Sequence, residues 1–286
     1  MQKLFILLIL FLGSAKIFGQ EPGVIEKTVV YKNLAGQELN ATIFYTEASQ
    51  QKTGNTALAL FHGGGWVFGD PSEFFEACRW FARKGYVAVS FQYRLSRNSD
   101  GTYPHPDITP VECVKDARSA LRWLRSNADD YNINPEKIVA GGQSAGGQLA
   151  LSTALVDGVN EITDNLEISP EPNALLLYSS NVNTLEPWID NLLGERRNEI
   201  WEISPYHNLK KNMPPAIAFH GDEDNQVLPY IVQMFKAKTL ELGNEYELHT
   251  YPGFKHYLGE GNDKYSRYFD EEILDLSVAF LKKRGF

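Results

Sequence analysis

The chain has 286 residues and a formal net charge of −9, with 36 acidic side chains against 27 lysines and arginines. An acidic surface of this kind excludes nucleic acid and anionic membranes as natural partners, and it would repel anionic substrates unless a local basic patch intervened.

At the amino terminus Lys3 precedes an unbroken apolar run over residues 4–12, followed by Gly13, Ser14 and Ala15. That is the pattern of a secretory signal peptide, so residues 1–20 are expected to be an export leader outside the fold. The run is short for a bilayer span, and no cysteine near its end suggests a lipid anchor, so no stable membrane anchor is expected. Loss of Lys3 and Lys16 with the leader would take the charge from −9 to −11. The roughly 265 residues that remain suffice for one large domain, 21–286.

Residues 28–31 and 38–45 alternate apolar and polar side chains around Leu34-Ala35-Gly36-Gln37, which predicts a hairpin. A short buried strand over 57–61 runs into His62-Gly63-Gly64-Gly65. Segment 72–84 carries Phe75, Cys78 and Ala82 on one stripe and stops at Gly85, as a helix does. A strand over 86–91 and a proline-bearing loop over 96–109 follow. Val111, Val114, Ala117, Leu121 and Leu124 recur at three- and four-residue spacing, marking a long amphipathic helix that ends near Tyr131. Asn134-Pro135-Glu136-Lys137 reads as a turn into a strand at 138–140, and a helix begins by Gln148. Further strands are expected at 174–178, 216–219 and 245–251, with helices at 228–242 and 268–282.

This alternation predicts a mostly parallel, eight-stranded sheet with helices on both faces. Cys78 and Cys113 then fall on helices of opposite faces, too far apart to bridge, and are expected to be free, buried thiols. Two segments stand outside the rhythm: 157–173, acidic and with two prolines, and 181–205, with Trp188 and Trp201. Both are expected to follow strands on the active-site side and to build the pocket or a partial lid.

Gly142-Gln143-Ser144-Ala145-Gly146 fits Gly-x-Ser-x-Gly, and the His-Gly-Gly-Gly run fits the oxyanion loop that accompanies it. Ser144 would sit on a sharp strand-to-helix turn, with glycine at 142 and 146 because a side chain there would strike the neighbouring strand or helix. A serine hydroxyl needs a base, and the order Ser, acid, His points to a histidine late in the chain. His256, after the last strand in Gly253-Phe254-Lys255-His256, fits. His62 belongs to the glycine run, where it would hold the loop; His105 reads as an exposed loop residue, and His220 as bonded to its loop. His249 reads as packed in a strand, and His207 precedes the acid and breaks the order. The acid lies in His220-Gly221-Asp222-Glu223-Asp224; spacing favours Asp224, with Asp222 as the fallback. The oxyanion hole would use the amides of Gly64, Gly65 and Ala145, and Trp66, Gln143 and Trp188 are candidate substrate-pocket residues. Three adjacent carboxylates fix no calcium shell, so no metal is assigned, and no cofactor is needed because water is the second substrate.

Taken together, His62-Gly-Gly-Gly-Trp66, Gln92-Tyr93-Arg94-Leu95, the helix at 116–123, Asn134-Pro-Glu-Lys-Ile138, Gly142 to Gly147, Ile203-Ser-Pro205, His220 to Asp224 and Gly253 to His256 resemble the α/β-hydrolase esterases. The resemblance is to the branch spanning hormone-sensitive-lipase-like carboxylesterases and bacterial feruloyl or acetyl-xylan esterases. It implies the α/β-hydrolase fold, a Ser144–Asp224–His256 triad and ester hydrolysis through an acyl-enzyme. Hormone-sensitive-lipase relatives usually carry an acidic residue where this chain has Gln143, and a helical cap where it has only a hairpin. Both departures favour the compact polysaccharide-esterase branch, with acetyl or feruloyl esters of plant polysaccharide as substrates. A prolyl-oligopeptidase-like peptidase is the rival enzyme, but it would need room for a propeller. A non-catalytic binding module would have lost the serine or histidine that this chain keeps. A lipase would call for a long apolar lid helix.

Overall fold

The computed structural model describes residues 23–34, 36–258 and 269–286. The expected leader at 1–20, Ala35 of the hairpin turn and the start of the last expected helix lie outside them. In chain order β1 (Val24–Leu34) and β2 (Gln37–Thr46) lead to a single helical turn, α1 (Glu47–Gln50), and then to β3 (Asn55–Phe61). A 3-10 turn, Pro71–Phe74, runs into α2 (Phe75–Arg83), followed by β4 (Val87–Phe91), α3 (Pro110–Ser126), β5 (Ile133–Gln143) and α4 (Ala145–Leu155). Next come β6 (Ala174–Tyr178), α5 (Pro187–Leu193) and a 3-10 stretch, Gly194–Trp201. The fold closes with β7 (Ala216–Gly221), α6 (Pro229–Glu241), β8 (Tyr246–Tyr251) and α7 (Glu271–Lys283).

The strands lie in the order β1-β2-β4-β3-β5-β6-β7-β8. The pairs β1–β2 and β2–β4 are antiparallel, and from β4 to β8 every pair is parallel. Central strands are covered on both faces, so they read as continuous apolar runs whose side chains split between two cores. In β3, Ala57, Ala59 and Phe61 face the core that holds α3, α4 and α6, while Leu58 and Leu60 face α2 and α7. Every residue of α4 is buried, which is why it lacks an amphipathic stripe. Helix α3 starts on a capping box: Thr109 Oγ1 accepts from the Val111 amide, and Glu112 Oε2 accepts from the Thr109 amide. Cys78 and Cys113 are free and buried, in the α2 and α3 cores respectively.

Two expectations need correction. Residues 134–137 are extended within β5 and do not form a turn ahead of it. Ile133 pairs with Asn55, and the register with β3 shifts before Ile138 meets Ala57. Segment 157–173 follows α4 and not a strand, and it is tied to α3. The Arg118 guanidinium donates to the Val156 carbonyl, and Arg122 donates to Asp164, Asn160 and the Ile168 carbonyl. It forms a strap over α3.

Register positions the site. Phe61 pairs with Gly142, Gln143 with Tyr178, Tyr178 with Phe219, and Gly221 with Tyr251. The carboxyl ends of β3, β5, β6, β7 and β8 therefore finish along one edge, where open α/β sheets bind ligands.

Candidate active site

Ser144 is the hinge between β5 and α4, at φ 53° and ψ −117°, a conformation that costs a non-glycine residue roughly 1–3 kcal/mol. The surroundings hold it there. Its amide donates to the Tyr178 carbonyl at 3.0 Å, and its own carbonyl accepts from the amides of Asn181 and Gln148, each at 3.1 Å. A Cβ on Gly146 would lie 2.0 Å from the Phe61 carbonyl oxygen, and one on Gly142 would lie 2.4 Å from the Gly146 backbone. Close approach of strand and helix, and not φ, demands glycine at both positions.

The loop after β8 brings His256 Nε2 to 2.9 Å from Ser144 Oγ. Its Nδ1 lies 2.8 Å from Asp224 Oδ2, and both residues are buried. With Nδ1–H donating to the carboxylate, Nε2 is left as the acceptor for the serine proton. Burial alone would raise the Asp224 carboxyl. Hydrogen bonding and charge from His256, the charge of His220 and the Val227 amide hold it below the usual carboxylate range. Its second oxygen accepts from the amides of Gln226 and Val227, at 2.9 and 3.0 Å. Asp222 instead accepts from the Gly253 amide at 2.7 Å and so anchors the loop that carries His256.

The other histidines take structural positions. His220 Nε2 lies 2.9 Å from the Val227 carbonyl, beneath the acid. His249 stacks on Phe219 and bonds Glu247. His207 Nδ1 meets Ser204 Oγ at 2.8 Å, and His105 Nδ1, only half exposed, accepts from the amides of Asp107 and Ile108. His62 donates from Nδ1 to the Gly63 carbonyl and stacks on Tyr93, whose hydroxyl donates to the His62 carbonyl. Burial pushes the His62 imidazole down to about 4, opposed by the Gly63 bond and Asp70. This neutral, stacked ring and Tyr93 brace the glycine loop. Gly64 and Gly65 lie in the left-handed region at φ 105° and 61°. The Gly64 carbonyl accepts from the Val67 and Phe68 amides, while the Gly64, Gly65 and Ala145 amides have no acceptor among the described residues. Ala145 opens α4 directly after the serine and the glycine loop leaves β3, the strand beside β5, so these amides are the donors available to a carbonyl oxygen that gains charge there.

Of the three candidate pocket residues, Trp188 borders a cavity among the described residues. Trp188 is 45% exposed. It stands over Gly65 and borders a cavity of about 470 Å³ with Gly64, Phe68, Tyr103 and Leu192. Trp66 is fully buried, turned inward at φ 60° to donate from Nε1 to Gln148 Oε1 at 3.0 Å. Gln143 is also buried, lying against His256. Segment 181–205 contributes to this cavity and to a second of about 430 Å³ lined by Asn183, Leu185, Tyr206, Asn225, Leu228 and Tyr230. Sequence reasoning missed Phe68, Tyr103 and Tyr230; their only signal is a large aromatic in a loop after a strand or at a helix start.

A strained serine at a strand–helix hinge, a buried carboxylate–imidazole pair and free amides beside it define a serine hydrolase of the α/β-hydrolase fold. Comparison with known proteins narrows the class. The BD-FAE family model matches residues 43–175. Thermogutta terrifontis esterase 2, in a structure phosphoramylated by tabun, superposes at a TM-score of 0.81 with 31% identity, over 93% of this chain and 97% of that one. Its butyrate-bound form gives 0.80 and 31%, over 91% and 95%. An acetylxylan esterase of Xylanibacter ruminicola is 25% identical over 79% of this chain and 45% of its own length. The chain spans less than half the length of the curated relatives it matches. It belongs to the α/β-hydrolase esterases, serine hydrolases of carboxylic esters.

Proposed function

We propose that the protein is an exported esterase that removes short or aromatic acyl groups, acetyl or feruloyl, from plant polysaccharide. The observation that carries the esterase reading is the run Ser144 Oγ–His256 Nε2–Asp224 at 2.9 and 2.8 Å beside three unpaired amides. As Ser144 Oγ attacks the ester carbonyl carbon, its proton passes to His256 Nε2. The carbonyl oxygen gains charge against the amides of Gly64, Gly65 and Ala145. Collapse breaks the bond to the alcohol oxygen, which takes the proton from Nε2 and leaves the acyl group on Ser144. Water then attacks the acyl-enzyme by the same route and releases the acid. Asp224 fixes the imidazole tautomer throughout and does not take the proton.

Several observations support the acyl and sugar parts of the proposal. Forms of the Thermogutta esterase carry propionate and butyrate, and the cavity beside Gly64 and Gly65 is lined by the aromatic Phe68, Tyr103 and Trp188, which suits an aromatic acyl group. The acetylxylan esterase relative and the leader-like residues 1–20 suit an extracellular carbohydrate ester. The test compares acetyl, butyryl, octanoyl and feruloyl esters and then acetylated xylan, with Ser144→Ala as blank. Acetyl or feruloyl preference with acetate release from xylan is expected, and His256→Ala should fall to the blank. Preference for octanoyl esters would refute the carbohydrate assignment, and cleavage of aminoacyl-proline amides alone would identify a peptidase.

A further inference from the structure

The base of the triad has a second polar neighbour. Gln143 lies immediately before the nucleophile, and its Nε2 is 3.3 Å from His256 Nε2, the same ring nitrogen that faces Ser144 Oγ at 2.9 Å. The side chain reaches this place under the oxyanion loop: a Cβ on Gly63 would lie 1.9 Å from Gln143 Oε1, so glycine at 63 is what makes room. Because Nδ1–H is committed to Asp224 at 2.8 Å, neutral His256 offers one lone pair at Nε2, and two donors point to it.

During the reaction this arrangement acquires a direction. Once Nε2 has taken the serine proton it is itself a donor, and the amide N–H groups of Gln143 now face it donor to donor. In this orientation of the amide the Nε2–H finds no acceptor on the Gln143 side and is left to bond the oxygens on the other side, Ser144 Oγ and the departing alcohol. The remaining neighbours do not alter this. Asp224 holds Nδ1, His220 lies beneath Asp224, and Tyr257 packs edge-on against the ring at 5.5 Å. We propose that Gln143 is a positioning residue that aims the His256 proton at the leaving group, through the contact of its side-chain amide with Nε2.

This rests on the esterase reading and makes a demand that simple packing does not. Alkoxide leaving groups need the proton, whereas p-nitrophenolate departs readily without it. Gln143→Met keeps the length of the side chain and removes the donors. The experiment measures kcat/KM for ethyl acetate and p-nitrophenyl acetate, which form the same acyl-enzyme, in the wild type and this variant. The expected result is a fall in both, with the ethyl to p-nitrophenyl ratio dropping about tenfold, part of the roughly 10²- to 10⁴-fold that general acid–base catalysis supplies. An unchanged ratio, whatever the absolute loss, overturns the proposal and leaves Gln143 as filler. If the methionine protein does not fold, Gln143→Leu gives the same readout. Failure of the wild type on both esters would instead refute the esterase reading.

Discussion

Asp222 and Asp224 carry the same functional group two positions apart, yet their surroundings assign them different work. Asp224 is buried with one oxygen on His256 Nδ1 and the other on two backbone amides. Asp222 is exposed and bonds a single amide, that of Gly253. Asn at 224 would present its amide nitrogen or lose the tautomer, so Asp224→Asn should cost about 10⁴-fold in kcat. Asn at 222 still accepts from Gly253 through its side-chain oxygen, so Asp222→Asn should cost less than about tenfold, the value of one neutral hydrogen bond. Steady-state kinetics of the two variants decides it, and the reverse order would exchange their roles. Spacing was enough to favour Asp224 in the sequence. It could not reveal the task of Asp222, because that depends on a contact with a loop 31 residues away. The burial of Trp66 and Gln143 was illegible for a related reason. A side chain beside a catalytic motif can point into the pocket or beneath it, and only backbone φ and the packing of Gln148 and His256 decide.

Elements were more legible than contacts. Apolar runs bounded by glycine and polar turns located β3, β4, β6 and β7 to within two residues, because strands covered on both faces carry an unbroken hydrophobic signal. Strand β5 was truncated in the reading because Asn-Pro is a turn signal, whereas here the pair sits at the strand's irregular start. The strap at 157–173 was misread through composition: acidity and prolines mark a surface segment but not which end of the sheet it serves. Its attachment can be tested at Arg122, whose guanidinium donates to Asp164, Asn160 and Ile168 from a nearly buried position. Arg122→Met should lower unfolding free energy by about 3 kcal/mol, the cost of stranding a buried charge, with KM for acetate esters unchanged. A shift in KM would return the strap to the site.

The stability of the molecule as a whole should carry the signature of one buried histidine, His62. His62 is buried under the oxyanion loop and held near 4, whereas in the unfolded chain it would titrate near 6.5. Between those values the unfolded state binds more protons, so stability is fully present above about 6.5 and is lost as pH falls toward 4. Urea unfolding at pH 7 and pH 4.5 should show wild type losing about 2 kcal/mol that His62→Asn does not lose. Parallel slopes would mean that the ring is protonated in the folded protein.

The strand order carries one more consequence. The nucleophile belongs to β5, in the middle of the sheet, but its acid and base hang from β7 and β8, toward one edge of it. A partly synthesised or partly threaded chain displays a serine with no base behind it. Hydrolytic competence therefore requires β7 and β8 to be seated, and recovered ester cleavage reports on that seating.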